Sequence, residues 1–132
     1  MSLDRLWNGW RAEYITGVLG QSPDPSVSVF TSILNSGLPD EETYIVHRSS
    51  SVFVILNAFP YASGHLLVLP YREIADLEEL TPEESIDLWD TVRDATMALK
   101  KSHQPHALNV GINLGTAAGG SISQHLHVHI VP

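Results

Sequence analysis

Three histidines occupy every second position near the end of the sequence. The last nine residues read QHLHVHIVP and contain His125, His127 and His129, with apolar residues between them. Side chains two positions apart in a β-strand point to the same face. The spacing therefore predicts a strand over residues 125–131 with an apolar face buried in the core. We expect the histidine face to be a polar surface or a cleft.

Three interpretations fit this histidine face. The imidazoles could be solvated or hydrogen-bonded groups on an outer face. They could bind a metal, since two histidines at i and i+2 on a strand can reach one zinc ion, although no nearby Asp or Glu completes the ligand set. They could also catalyse a reaction, because a neutral imidazole can attack an electrophile while its neighbours donate a proton or orient it.

A glycine-rich loop stands directly before the predicted histidine strand. It runs from Asn113 to Ser121 with the sequence NLGTAAGGS. Small residues let a ligand approach the backbone closely, and backbone N–H groups can hold phosphate oxygens. The loop and the histidines together favour nucleophilic catalysis on a phosphorylated ligand over the other two interpretations.

The elements that must position these residues form a mixed domain. Runs of apolar and β-branched residues predict five strands. They cover residues 43–48, 52–57, 65–71, 107–113 and 125–131. Strands, then one long helix, then two more strands indicate an α+β fold with a mostly antiparallel five-stranded sheet.

The long helix has a clear start signal. Thr81 is a helix N-cap, Pro82 suits the first helical position, and Glu84 completes a capping box. Residues 103–106, HQPH, end the helix. The apolar stripe predicted to pack on the sheet consists of Ile86, Trp89, Val92, Ala95 and Leu99.

The N-terminal part is predicted to be a short helix followed by a loop. Leu6, Trp10 and Tyr14 recur at helical spacing, and residues 19–29 are rich in Ser and Pro. We expect one domain over residues 1–132, with the helix and loop in residues 1–30 and the core in residues 31–132.

Composition limits the classes of partner. The chain has 132 residues, a net charge of −8 and only seven Lys and Arg residues, too few for a large basic face that binds nucleic acid. It contains no cysteine, and no apolar stretch approaches the roughly 18–20 residues that span a bilayer. We expect a cytoplasmic protein that binds neither nucleic acid nor membrane.

The sequence resembles the histidine-triad (HIT) family. HLHVHIV, residues 125–131, fits each position of the family signature His-φ-His-φ-His-φ-φ, where φ is apolar. The resemblance extends over residues 52–132. The NLGTAAGGS loop and the N-terminal LWNGWRAEYI segment are most similar to the actinobacterial diadenosine tetraphosphate phosphorylases of this family. The family domain usually continues beyond this motif, so we expect its C-terminal end to be missing from this chain.

The resemblance implies a role for each histidine. His127 would attack the α-phosphorus of a nucleotide and form a nucleotidyl-histidine. His129 would help the leaving group to depart, His125 would orient His127, and His65 would support the triad. The remaining histidines fit no motif position and are predicted to be surface or turn residues: His47, His103 and His106.

The resemblance also implies the substrate contacts. Asn57 would contact the ribose. Asn113, Gly120 and Ser121, with Gly119 in the same loop, would hold the α-phosphate. The implied substrate is a dinucleoside polyphosphate, cleaved by phosphorolysis or by hydrolysis. Two alternatives stay open: a nucleotide-binding module with little turnover, and a nucleoside phosphoramidate hydrolase.

Cofactor and partner expectations follow from the same resemblance. No cofactor is required, Mg²⁺ would enter only with the nucleotide, and zinc is not expected. Family members are usually homodimers in which two sheets join and the long helices pack together. Trp89, with Trp7 and Trp10, would lie in that interface.

Overall fold

The computed structural model describes residues 26–57, 63–118 and 124–132, and the predicted N-terminal helix lies outside these ranges. The helices are α1 (Val29–Leu34), α2 (Asp40–Thr43) and α3 (Pro82–His103), with short 3₁₀ turns at Leu77–Glu79 and Thr116–Ala118. The strands are β1 (Ile45–Arg48), β2 (Val52–Leu56), β3 (Leu66–Pro70), β4 (Asn109–Ile112) and β5 (Val128–Val131).

The five strands form one sheet in the order β1-β2-β3-β5-β4. Each strand pairs antiparallel with its neighbours, which confirms the predicted α+β fold. The sequence placed the first four strands to within one or two residues at each end. The fifth strand begins three residues later than predicted, because residues 125–127 precede the ladder.

Two apolar layers cover the two faces of the sheet. Side chains alternate between the faces along each strand, so one strand contributes to both layers. The layer beneath α3 includes Val52, Val54, Leu66, Val68, Val128 and Ile130. The layer beneath α1 includes Phe30, Ile33, Phe53, Ile55, Leu67 and Leu69. Because both faces are covered, the central strands read as continuous apolar runs.

Helix α3 starts at the predicted capping box, with reciprocal hydrogen bonds between Thr81 and Glu84. Its predicted apolar stripe is wrong at two positions, because Ile86 is 66% exposed and Trp89 is 44% exposed. Successive residues differ by about 100° around a helix. With the fully buried Leu88 facing the sheet, Trp89 turns away from it. The apolar residues of the buried face are Leu88, Val92, Ala95 and Leu99.

Helix α1 was not predicted, and it changes the surroundings of the histidines. Ser28 caps its first turn, its side chain accepting a hydrogen bond from the Thr31 N–H. Phe30 is 3% exposed and Ile33 is also buried against the sheet. The core therefore begins upstream of residue 31.

Among the described residues, no helix has the length and apolar character that crossing a membrane requires.

An ion pair fixes the start of α3 against the segment that follows β3. Arg72 contacts Glu84 with two nitrogen atoms, Nη2 to Oε1 at 2.7 Å and Nε to Oε2 at 2.9 Å. The hydrogen bonds from Arg72, together with the Thr81 N–H, lower the pKa of Glu84 to about 2. The ionised carboxylate is thus stabilised by folding, and the unfolded chain lacks that stabilisation.

Replacing Glu84 by Gln should destabilise the fold at pH 7 by about 1–2 kcal/mol, because Arg72 is half exposed and solvent screens part of the pair. Since the pKa of Glu84 is depressed, this difference should be present above pH 4.5 and shrink as the pH falls toward 2. Urea unfolding of the wild type and the variant at several pH values measures this difference in the free energy of unfolding. Glu83→Gln in the same turn is the matched control, and an equal loss in that variant would contradict the assignment.

Candidate active site

Because side chains alternate along each strand, most of the predicted site residues lie on the face of the sheet that α1 covers. Asn57 follows β2, and His65 precedes β3, each in phase with the residues of the α1 layer. His129 on β5 lies opposite Leu67 of β3, so His65 is its diagonal neighbour across the ladder. The contact is direct, with Nε2 of His65 2.9 Å from Nδ1 of His129.

The histidine face, predicted to be a polar surface or a cleft, is largely shielded from solvent at two of its three histidines. His125 is 0% exposed and His127 is 6% exposed. The reason is α1, whose Phe30 ring lies 5.6 Å from the His125 ring and 5.5 Å from the His127 ring between centroids. His129 is half-buried. The opposite, apolar face is buried as predicted.

The His125 ring is bonded at both nitrogen atoms. Nε2 lies 2.8 Å from the carbonyl oxygen of Pro70, and Nδ1 lies 2.6 Å from Oγ of Ser28. Because a carbonyl oxygen only accepts, Nε2 carries the proton, and in the neutral ring Nδ1 accepts from the Ser28 hydroxyl. Burial lowers the pKa of His125, and the bond to Pro70 and the charge of Glu73 oppose this only in part. The ring is therefore held neutral.

The contact between His125 and the His127 ring is made by the main chain of His125. Nδ1 of His127 lies 2.7 Å from the carbonyl oxygen of His125. The proton of the neutral His127 ring therefore sits on Nδ1, and the lone pair is on Nε2. An imidazole in this state has the nucleophilic nitrogen that the sequence pattern predicted.

A second chain of contacts sets the tautomer of His129. Nδ2 of Asn57 lies 3.3 Å from Nδ1 of His65. An amide nitrogen only donates, so Nδ1 of His65 accepts and its Nε2–H donates to Nδ1 of His129. The neutral His129 ring consequently carries its proton on Nε2, which is shielded from solvent. The His127 and His129 rings lie 4.8 Å apart between centroids.

The strand beside His129 carries no side chain at the paired position. Gly111 of β4 pairs directly with His129, and none of the residues that the structure describes, its two chain neighbours apart, lies within 4 Å of where a Cβ atom of residue 111 would be. Asn113 is half-buried just beyond the end of β4. The other three predicted phosphate-binding residues, Gly119, Gly120 and Ser121, lie outside the described residues. The histidines predicted to be surface residues, His47, His103 and His106, are exposed.

Sequence reasoning missed three residues beside the triad: Ser28, Phe30 and Glu73. Glu73 accepts hydrogen bonds from the Ser28 N–H at 2.6 Å and from Oγ1 of Thr31 at 2.7 Å. Burial raises the pKa of Glu73, but these hydrogen bonds outweigh it and hold the pKa below its ordinary value. The N-cap pattern at Ser28 was the one sequence signal for this segment.

The described residues contain no cluster of three or more His, Asp or Glu side chains arranged to hold a metal ion. The histidine nitrogens instead bond to one another, to Ser28, to Asn57 and to main-chain carbonyls. The arrangement pairs a lone pair on His127 with a proton on His129. It can attack an electrophile and donate a hydrogen bond to a leaving group.

Comparison with known proteins defines the class. Residues 39–132 match the HIT domain family. The chain is 44% identical over 134 aligned positions to the AP-4-A phosphorylase of Mycobacterium tuberculosis, covering 98% of this chain and 68% of that protein. It is 36% identical over 88 positions to the asymmetrical bis(5'-nucleosyl)-tetraphosphatase of Schizosaccharomyces pombe, covering 67% of this chain and 48% of that protein.

A solved structure agrees with the sequence relatives. The fold superposes on a HIT family protein from Bacillus subtilis with a TM-score of 0.70 and 29% sequence identity, covering 78% of this chain and 70% of that one. The chain belongs to the histidine-triad family.

The buried, neutral His125 should make stability depend on pH. Its pKa in the folded protein is below the ordinary value of 6.5, so the unfolded chain binds the proton more readily. The contribution of His125 to the free energy of unfolding should be complete above pH 6.5. It should be lost as the pH falls toward the pKa of His125 in the folded protein. Urea unfolding between pH 5 and 8 measures this slope. We expect His125→Gln to flatten the slope, and an unchanged slope in that variant would count against the assignment.

Proposed function

We propose that this protein is an enzyme that cleaves dinucleoside polyphosphates at an α-phosphate, with His127 as the nucleophile. The observation that carries the proposal is the 2.7 Å contact from Nδ1 of His127 to the carbonyl oxygen of His125. It favours the tautomer with its lone pair on Nε2. The relatives named AP-4-A phosphorylase and bis(5'-nucleosyl)-tetraphosphatase support the substrate class.

In the first step, Nε2 of His127 attacks the α-phosphorus and forms an N–P bond. The bond from phosphorus to the bridging oxygen breaks, and the departing nucleoside polyphosphate takes the electron pair. The Nε2–H of His129 donates a hydrogen bond to that bridging oxygen and stabilises the negative charge that develops there, which lowers the cost of expelling a polyanion. A neutral nucleophile also avoids the charge repulsion that an anionic one would meet at a phosphate.

In the second step, an oxygen atom of phosphate or of water attacks the same phosphorus. The N–P bond breaks, His127 recovers its lone pair, and the proton of the attacking group is released to solvent. With diadenosine tetraphosphate, phosphate gives ADP and ATP, whereas water gives AMP and ATP. The two reactions share the intermediate and differ only in the acceptor, so the histidine geometry is compatible with both.

Substrate contacts are proposed for four residues: Asn113, Gly119, Gly120 and Ser121 hold the α-phosphate. The absence of a side chain at Gly111, directly opposite His129, supports access of the substrate from the β4 side. The ribose contact of Asn57 stays a prediction. Its buried amide, 3.3 Å from His65, supports a second task, which is to hold the His129 tautomer that donates a hydrogen bond to the leaving group.

The test is product analysis with diadenosine tetraphosphate, with and without inorganic phosphate, by anion-exchange chromatography. We expect ADP and ATP with phosphate, or AMP and ATP in either buffer. His127→Ala should reduce the rate by at least about a thousandfold, because the nucleophile is lost. Intact-mass measurement at neutral pH should detect a nucleotidyl adduct on the wild-type chain only.

The matched control is His106→Ala, which removes an exposed histidine away from the triad. Its rate should equal that of the wild type. Nucleotide binding without products or adduct would indicate a binding module. AMP released only from a nucleoside phosphoramidate would indicate the other alternative. Full activity in His127→Ala would exclude His127 as the nucleophile.

We also propose that two copies form a homodimer along α3 and β4. Ile86, Trp89 and Met97 expose apolar side chains on one side of α3. β4 is an edge of the described sheet, so its outer backbone groups can pair with a second copy. Two such edges related by a twofold axis would join the sheets into one.

Trp89→Glu should convert the dimer into a monomer, because it places a charge in the apolar interface. Sedimentation velocity at micromolar concentration measures the mass. Val46→Glu is the matched control, since Val46 is an exposed apolar residue on β1 at the opposite edge of the sheet. A monomeric wild type, or dissociation in the Val46 variant instead, would refute this interface.

A further inference from the structure

Helix α1 lies outside the region that matches the HIT domain, yet it contacts the triad directly. The match begins at residue 39, whereas α1 ends at Leu34. Ser28 at its N-cap is 1% exposed, and its hydroxyl oxygen lies 2.6 Å from Nδ1 of His125. Phe30 of the same helix packs against the rings of His125 and His127. The upstream segment therefore forms part of the histidine site.

We propose that Ser28 is a positioning residue for the nucleophile, acting through the ring of His125 on the tautomer of His127. The proposal rests on the proposed function, in which His127 attacks phosphorus. Ser28 does not touch the reacting atoms. Its hydroxyl holds the His125 ring, and the main chain of His125 holds the proton of His127.

The hydrogen bonds around Ser28 favour donation of its hydroxyl proton to His125. Its oxygen accepts from the Thr31 N–H at 3.1 Å, so the hydroxyl proton is available as a donor. The acceptor at 2.6 Å is Nδ1 of His125, which is nearer than Oγ1 of Thr31 at 3.2 Å. Glu73 fixes the Ser28 backbone through its N–H. The serine is thus held in place before it binds the imidazole.

The hydrogen bonds of His125 link Ser28 to the tautomer of His127. With Ser28 and Pro70 on its two nitrogen atoms, the His125 ring cannot turn without breaking a buried hydrogen bond. The ring fixes the residue whose carbonyl oxygen accepts from Nδ1 of His127 at 2.7 Å. Without Ser28, one ring nitrogen loses its donor in a buried site, and this carbonyl is less well fixed. The proton of His127 can then move to Nε2, which removes the nucleophilic lone pair.

The first measurement is nitrogen NMR of the histidine rings in the substrate-free protein. In the wild type we expect protons on Nε2 of His125 and on Nδ1 of His127. Ser28→Ala should increase the fraction of His127 with its proton on Nε2. Ser28→Thr keeps a hydroxyl and a helix cap, and should retain the wild-type tautomers. Ser32→Ala, which deletes a hydroxyl from the same helix one turn further on, is the matched control.

The second measurement is turnover of diadenosine tetraphosphate across pH in the same variants. Ser28→Ala should lower kcat on the order of tenfold to a hundredfold with little change in KM, because the loss concerns the reactive tautomer and not substrate contacts. The pH profile of kcat should also shift, whereas a general loss of folded protein would scale it uniformly. Ser28→Thr should recover most of the rate.

The outcomes separate this inference from the proposed function. If the wild type turns over no substrate, the proposed function fails, and the tautomers still decide the role of Ser28. Wild-type tautomers and kcat in Ser28→Ala would overturn the inference. If Ser28→Ala does not fold, the wild-type spectrum decides, since a proton on Nδ1 of His125 would contradict a serine that donates to it.

Discussion

A neutral imidazole has one hydrogen-bond donor and one acceptor, and burying it requires a suitable partner for each. His65 and His125 are both fully buried in this protein. Their partners are groups of fixed character: a main-chain carbonyl at Pro70 for His125 and the amide nitrogen of Asn57 for His65. Each of these groups fixes which nitrogen atom carries the proton of one ring. The hydrogen bonds of the other site residues depend on these two tautomers.

Two neighbouring rings carry their protons on opposite nitrogen atoms. His127 receives a carbonyl acceptor and holds its proton on Nδ1, whereas His129 receives a donor and holds its proton on Nε2. Chemically identical side chains thereby present a lone pair and a hydrogen-bond donor 4.8 Å apart between ring centroids. Neither needs a net charge for this. Neutral rings add no further charge repulsion toward the polyanionic substrate proposed above, in a chain whose net charge is already −8.

The sequence predicted the parts of this structure that follow from local rules. The alternation before Pro132 predicted the buried apolar face of β5, and Thr81 with Glu84 predicted the start of α3. It could not choose between two apolar sides of α3, because Leu88 and Trp89 are both apolar and only packing on the sheet distinguishes them. The role of Ser28 was hidden for a different reason. Its partner His125 lies 97 residues further along the chain, and no local pattern links them.

The alternation in β5 has a consequence for folding fidelity. Slipping the strand by one residue against β3 would exchange its two faces. His129 would enter the dry layer beneath α3 without its partner His65, while Val128 and Ile130 would replace imidazoles in a polar network. Both changes raise the free energy of the misaligned state. The first buries an imidazole without a hydrogen-bond partner, and the second leaves the polar partners of the imidazoles unpaired. The histidines proposed to carry the chemistry therefore also disfavour a misaligned β5, so the correct register of the strand and the geometry of the site depend on the same residues.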